Sequence, residues 1–414
     1  MYKKELFIAL VAISNILFAQ NNTSNPYSIF GIGLENKTST GNLTALGNTG
    51  IANDNSFQVN ITNPASLGNI IQKSFLYEFG ANGSYTSLKN ENTTETKTNG
   101  NISHIAIAFP VKHNWGVGIG LLPLTKVGYN ITTENDIEGS TEEYLSFIQG
   151  EGGLNKFYIA TGVKLGKTLS LGLDASFLFG AINQQTQLFS SSLFTIDDNT
   201  YYSGMKLKTG FQYAFFNSKK QKTSIGGTLE IPVSLNGERT RTSYQTTTNG
   251  QVIPVEAEVE YDVNDFDLPI ISGIGITSNI YKDFTASFDY KKLLWNETDQ
   301  GKNNDQYYNQ DIYAFGLELA PSKQKLKYYN RLKYRFGFNY NTGFLNISNR
   351  KIDSYFVSLG AGIPLDQNAR NIMNLSYSYG KEGTTDNNLV QENFHRVTLN
   401  LSFIGNWFKE RKIF

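Results

Sequence analysis

No cysteine occurs in this 414-residue sequence, which excludes disulfides, thiol chemistry and a lipid-bearing N-terminal cysteine. Charge of one sign is missing too. Lys plus Arg and Asp plus Glu each number 36, so nothing points to nucleic acid or to a generally anionic surface. Histidine is scarce, and His104, His113 and His395 are far apart without metal-ligand spacing. No nucleophile–base constellation stands out, so neither an enzyme nor a cofactor is expected. Beyond the N-terminus no apolar run is long enough to cross a bilayer as a helix.

The N-terminal run has the layout of a signal peptide over residues 1–19: Lys3 and Lys4, an apolar stretch from Leu6 to Phe18, and Ala19 as the cleavage residue. Leu17 departs from the small-residue rule, which leaves the exact cut open. The chain as a whole is rich in Tyr (24), Phe (28) and Gly (38), yet its mean hydropathy is negative. Alternating apolar and polar residues reconcile the two, as in a strand with one face on lipid and one on a wet lumen.

That alternation is explicit. Phe75, Tyr77, Phe79, Ala81 and Tyr85 share one face, and Glu78, Gly80, Asn82, Ser84 and Thr86 the other. Leu171, Leu173 and Phe177 alternate with Ser170, Asp174 and Ser176, and Tyr334, Phe336 and Phe338 with Lys333, Arg335 and Gly337. Such segments start near Ser74, Asn101, Trp115, Lys156, Leu169, Gly204, Ser224, Leu268, Phe284, Ile312, Leu332, Ser354, Asn371 and Arg396. Links after even-numbered segments are short. Those after odd-numbered ones are long and polar, the longest from about Arg241 to Asp267 and another, acidic, from Glu134 to Gly153. Short periplasmic turns and long outer loops are the rule for outer-membrane barrels. A soluble sandwich has no reason to sort its loops this way. The reading is all-β: a 14-stranded antiparallel transmembrane barrel over residues 74–404, with an N-terminal plug (hatch) over 20–73 and a periplasmic tail over 405–414. It places the protein in the bacterial outer membrane, with lipids and the barrel-insertion machinery as its first partners.

The stretch from Gly41 to Gly68 looks like neither leader nor strand. Gly41, Ala45, Gly47, Gly50 and Ala52 allow close packing, and Asn63-Pro64-Ala65 sets a turn. Together with Asn25-Pro26-Tyr27-Ser28 and Leu46-Gly47-Asn48-Thr49-Gly50, it resembles the FadL family of long-chain fatty-acid transporters, most of all a Bacteroidetes branch of it. The resemblance implies passive uptake of small hydrophobic molecules and a side opening at an inward kink in the third strand. Pro123 interrupts that strand, where it cannot donate to a ladder. Leu122 and Leu124 are expected to face inward and to give an apolar ligand apolar walls. The other reading is a non-transporting barrel subunit of an outer-membrane secretion or assembly complex, held by protein partners. A third is a soluble secreted β protein such as an adhesin. Glu256, Glu258, Glu260 and Asp262 alternate on what reads as a hairpin arm. They are a weak candidate for calcium, outweighed by a solvated face because no calcium-loop spacing is present. Lumen charges such as Glu78, Lys208 and Asp289 are expected to bond the plug backbone.

Overall fold

The structure, a computed structural model, describes residues 25–406 apart from 38, 137–142, 190–191, 219–220, 282, 304–305, 322–330 and 368. The expected signal peptide, and residues 407–414 of the expected tail, lie outside the described residues. β1 (Leu34–Glu35) belongs to the N-terminal segment. The wall begins with β2 (Ser74–Lys89), β3 (Thr94–Lys112), β4 (Trp115–Pro123), β5 (Thr125–Asp136), β6 (Glu143–Leu165), β7 (Leu169–Phe189) and β8 (Leu193–Ser218). It continues with β9 (Gln221–Glu230), β10 (Val233–Thr246), β11 (Val252–Leu268), β12 (Ile271–Tyr281), β13 (Phe284–Leu293), β14 (Gln310–Leu319) and β15 (Lys333–Asn341). A small hairpin of β16 (Asn346–Ile347) and β17 (Arg350–Lys351) precedes β18 (Ser354–Pro364), β19 (Ile372–Glu382) and β20 (Gln391–Asn406). The pairs β4 and β5, β9 and β10, and β11 and β12 are each one strand interrupted near a proline, so the wall has 14 antiparallel strands. β20 pairs with β2 from Ser74 opposite Asn406 to Lys89 opposite Gln391, and the sheet closes.

Closure joins the last strand to the first, as lipid requires of a wall that spans with strands. Among the described residues no helix is long and apolar enough to cross a membrane. The two-residue period lands as expected. Tyr77, Tyr85, Leu171, Leu173, Phe336, Phe338, Val397 and Phe403 are exposed on the outer face. Glu78, Asp174, Arg335 and Asn400 are buried toward the lumen. Such a continuous apolar belt has no counterpart on a soluble monomer.

Where the structure departs from expectation is at the outer ends. Asn101, Lys156 and Gly204 lie inside β3, β6 and β8, which begin at Thr94, Glu143 and Leu193. The expected loop from Arg241 to Asp267 is mostly a hairpin of β10 and β11 turning over residues 247–251. Most of Glu134–Gly153 likewise belongs to β5 and β6, which pair there. Beyond the bilayer both faces of a strand are wet, so the alternation fades although the ladder continues. Length asymmetry between the two ends is therefore carried by strands more than by loops. At the other end β20 runs through Gly405 to Asn406, past the expected limit of the barrel.

Candidate functional site

Asn25–Lys73 runs through the lumen, held by short 3-10 turns with asparagine caps. Asn25 accepts from the Tyr27 amide at 2.9 Å, and Asn63 accepts from the Ala65 amide at 3.0 Å, each ahead of a proline at the first helical position. The Asn63 amide nitrogen also donates to the carbonyls of Ile51 (2.7 Å) and of Phe211 in β8 (3.0 Å). One fully buried side chain thus joins two stretches of the segment to the wall. Pro64 and Ala65 are buried beside it.

Gly47 ends the turn Leu43–Leu46 with φ +67°, and a Cβ there would stand 2.5 Å from the Phe338 carbonyl. Asn339 holds its carbonyl at 2.9 Å. The amides of Gly50 and Ile51 both donate to Asp289 Oδ2, at 2.6 and 2.9 Å. Glu78 accepts from the Val59 amide at 3.1 Å, and Asn400 donates to the Gly41 carbonyl at 2.7 Å. Polar wall residues thus satisfy backbone groups that a segment without regular ladders leaves open. Other lumen charges pair among themselves. Lys206 and Lys208 share Glu230 at 2.7 and 2.9 Å, Lys156 meets Asp174 at 3.1 Å, and Arg335 meets Glu318 at 2.6 Å.

Space for the segment comes from glycines of the wall. A Cβ on Gly162 would lie 2.5 Å from the Pro64 carbonyl, and one on Gly316 would lie 2.8 Å from the Leu46 carbonyl. Gly116, Gly172, Gly210, Gly226 and Gly337 face the segment in the same way. Sequence reasoning noticed small residues in the segment and missed those in the wall. Their signal was glycine recurring at lumen-facing positions of strand after strand.

The barrel strand of β4 and β5 breaks at Leu124. Below the break β4 pairs with β3 as far as Leu121 opposite Ile105. Above it β5 pairs with β6 and with β1, where Leu34 faces Lys126. Residues 94–102 of β3 pair with β2, so the ladder between the second and third barrel strands stops halfway up the wall. Asn36 covers the break: its amide donates to the Leu124 carbonyl at 2.9 Å, and its side chain to the Pro123 carbonyl at 3.1 Å. On the other side Gly152 and Gly153 of β6 take φ +122° and +130°, which lets β6 follow the kink. Neither Asn36 nor this glycine pair was singled out from the sequence.

Leu122, Pro123 and Leu124 line a cavity of about 210 Å³ together with Ile61 and Thr62. The kink thus shares one space with the two residues just ahead of the Asn63-Pro64-Ala65 turn, whose own residues do not line it. Its walls are mixed rather than apolar, with Lys37, Lys156, Lys206, Lys208, Glu230 and Lys291 across from the leucines. Leu122 packs on the inner cluster around Leu67, Leu76 and Tyr158, and Leu124 on an outer cluster that includes Leu154, Phe266 and Trp295. That outer cluster caps the lumen: Trp295 stacks on Phe344 with centroids 4.7 Å apart. Tyr27 joins the cap, its hydroxyl donating to the Val390 carbonyl at 2.7 Å, and burial pushes its phenol up to about 12.

The acidic hairpin residues do not converge. β11 bulges at Glu258, where φ is +50°, and Glu256 is taken up by Ser243 at 3.2 Å and Tyr261 at 2.7 Å. Among the described residues no three acidic or histidine side chains form a metal-holding group.

Three solved structures place the fold. The Ralstonia pickettii toluene transporter TbuX superposes with a TM-score of 0.59 at 13% identity, over 87% of this chain and 97% of its own. The P. putida toluene transporter TodX gives 0.59 at 15% identity, over 84% and 94%. A Pseudomonas aeruginosa FadL homologue gives 0.57 at 11% identity, over 91% and 100%. At such identities the likeness is one of fold, a closed antiparallel β-barrel. No curated protein matches in sequence. A family model described as BamG matches residues 1–414.

Proposed function

The chain belongs to the BamG family, and we propose that it admits small hydrophobic molecules, such as long-chain fatty acids, into the outer membrane by passive diffusion. The observation that carries this reading is the half-height ladder between β3 and the kinked strand, which ends at Ile105 and Leu121 just below Pro123. A hydrophobic molecule leaving sideways there enters lipid without crossing the polar inner half of the lumen. Leu122 and Leu124 stand at the exit, and residues 20–73, seated at Asn63-Pro64-Ala65, act as the plug that closes the axial path. In this reading the chain is a Bacteroidetes-type relative of the FadL barrels whose fold it shares.

The test is Pro123→Val. Valine restores a backbone donor and suits a strand, so the ladder can extend upward. Uptake of a hydrophobic fluorescent probe by cells is expected to fall toward that of a deletion strain, while the barrel gains about 0.5–1.5 kcal/mol for one restored hydrogen bond. Equal uptake in wild type, Pro123→Val and deletion strains sinks the transport reading.

A second reading, a barrel subunit held within an outer-membrane assembly, is favoured by a different observation. The aromatic cluster around Trp295 and β1 across the kink both stand in the way of a solute. Such obstruction suits a scaffold. Under that reading Pro123→Val leaves uptake unchanged, and the native protein leaves the membrane in mild detergent with stoichiometric partners.

A further inference from the structure

β11 is laddered on one edge only. β10 pairs with it from Val233 opposite Leu268 to Thr246 opposite Val252. The continuation of the same strand, β12, pairs with β9 and β13 instead. Among the described residues no strand register occupies the other edge of Val252–Val263. β13 ends at Leu293, level with Ile271, so all 17 residues of β11 rise past the end of that neighbour. At about 3.3 Å per residue the twelve residues from Val252 to Val263 span about 40 Å. A free edge with its backbone donors and acceptors in a row, as here from Val259 to Val263, is a template for another strand.

Proteins usually blunt such an edge, and the charge here is of an unusual kind. Glu258, Glu260 and Asp262 are exposed on β11, and Glu238 of β10 lies directly opposite Asp262. Like charges facing each other across a ladder repel. Of the arm's own cations, Arg241 pairs with Asp198 at 2.7 Å and lies over the Tyr261 ring, 5.4 Å from its centroid, while Arg239 donates to Thr200 at 3.1 Å, so none meets Glu260 or Asp262. Between and beyond these acids Val252, Val255, Val259 and Tyr261 are exposed, on the part of the hairpin that rises past the end of β13. Acid rows and bare valines together suit an occupant that is basic at alternate positions and apolar between them.

We propose that the free edge of β11 receives an extended segment of a second protein at the cell surface, added as a strand and bearing Lys or Arg at every second residue. A second copy of this chain does not fit, because its own β11 would bring the same acids. Anionic lipid headgroups are repelled for the same reason. The bulge at Glu258 limits the straight part of the seat to the stretch from Val259 to Val263. This inference stands apart from the uptake reading, and a barrel that carries no solute can still dock a strand.

The probe is a fluorescent peptide of alternating lysine and valine, titrated onto the full-length protein in detergent. Its controls are a glutamate–valine peptide and two versions of the lysine peptide N-methylated on alternate amides in either register. The lysine peptide is expected to bind, and the glutamate peptide is not. One N-methylated register is expected to lose binding and the other to keep it, since only one edge of the peptide meets β11. Glu260→Lys with Asp262→Lys is expected to weaken binding by about tenfold or more, while the heat-modifiable band of the folded barrel stays unchanged. No binding of the lysine peptide overturns the proposal. So does equal binding by both methylated peptides, which would mean charge attraction without strand addition.

Discussion

At the scale of single residues, Asn63 does the most. Its oxygen caps a turn and its nitrogen bridges two carbonyls, one of them in the wall. Asn63→Ala removes the cap, at about 1 kcal/mol, and leaves buried carbonyls unpaired, at about 1–3 kcal/mol more. Asn63→Asp keeps the acceptor and loses the donor, so it separates the two losses. Amide exchange over residues 43–70 is expected to speed up strongly in the alanine variant. The aspartate variant should retain protection at the Ala65 amide and lose it around Ile51. Equal protection in both variants and wild type would show that the seat is held by the wall glycines alone. Asn-Pro was legible as a turn from the sequence. Its bond to a strand about 150 positions away was not, because no local pattern records which carbonyl lies across a lumen.

At the scale of elements, the kinked strand is shaped by three parties: Pro123, the Gly152-Gly153 pair that yields to it, and β1 laid along its upper half. The proline was visible in the sequence as a missing donor. The plug strand was not, since two residues carry no period. Asn36→Ala removes one hydrogen bond across the break, a loss of about 0.5–1.5 kcal/mol. Faster exchange at residues 34–36 together with faster probe uptake is the expected outcome if β1 closes the side path. Faster exchange with unchanged uptake would show that β1 is not the gate. The expected outer loops went wrong for a related reason. Strands such as β6, β7 and β8 run 23, 21 and 26 residues, and in their outer parts, such as Glu143–Ile148 of β6, apolar and polar residues no longer alternate.

At the scale of the molecule, the wall and its contents are separable in principle. The ladder closes through β20 and β2 without using the N-terminal segment, whose own strand pairing is confined to β1 on β5, so the closure does not depend on residues 41–68. Deleting residues 41–68 is expected to leave a barrel that still resists unfolding in detergent but leaks small polar solutes in liposomes. Loss of the folded barrel on that deletion would make the segment part of the folding core. The wall's glycines bear on the same point, since with the segment gone they leave the lumen wider than side chains would.

The sequence by itself determined the closed, lipid-facing wall. A period of two is local, and once every second residue is aromatic or aliphatic the outer face is set without knowledge of partners. It also determined where the wall is weak, because a proline lacks its donor in any context. Only the tertiary structure decided how the N-terminal segment is seated in the lumen. The fit of Gly47 against Phe338, the capture of two amides by Asp289, and the lysine-rich cavity behind Leu122 and Leu124 are contacts between residues far apart in the chain. Their energies come from close packing and buried hydrogen bonds, which depend on distances that composition and spacing do not encode.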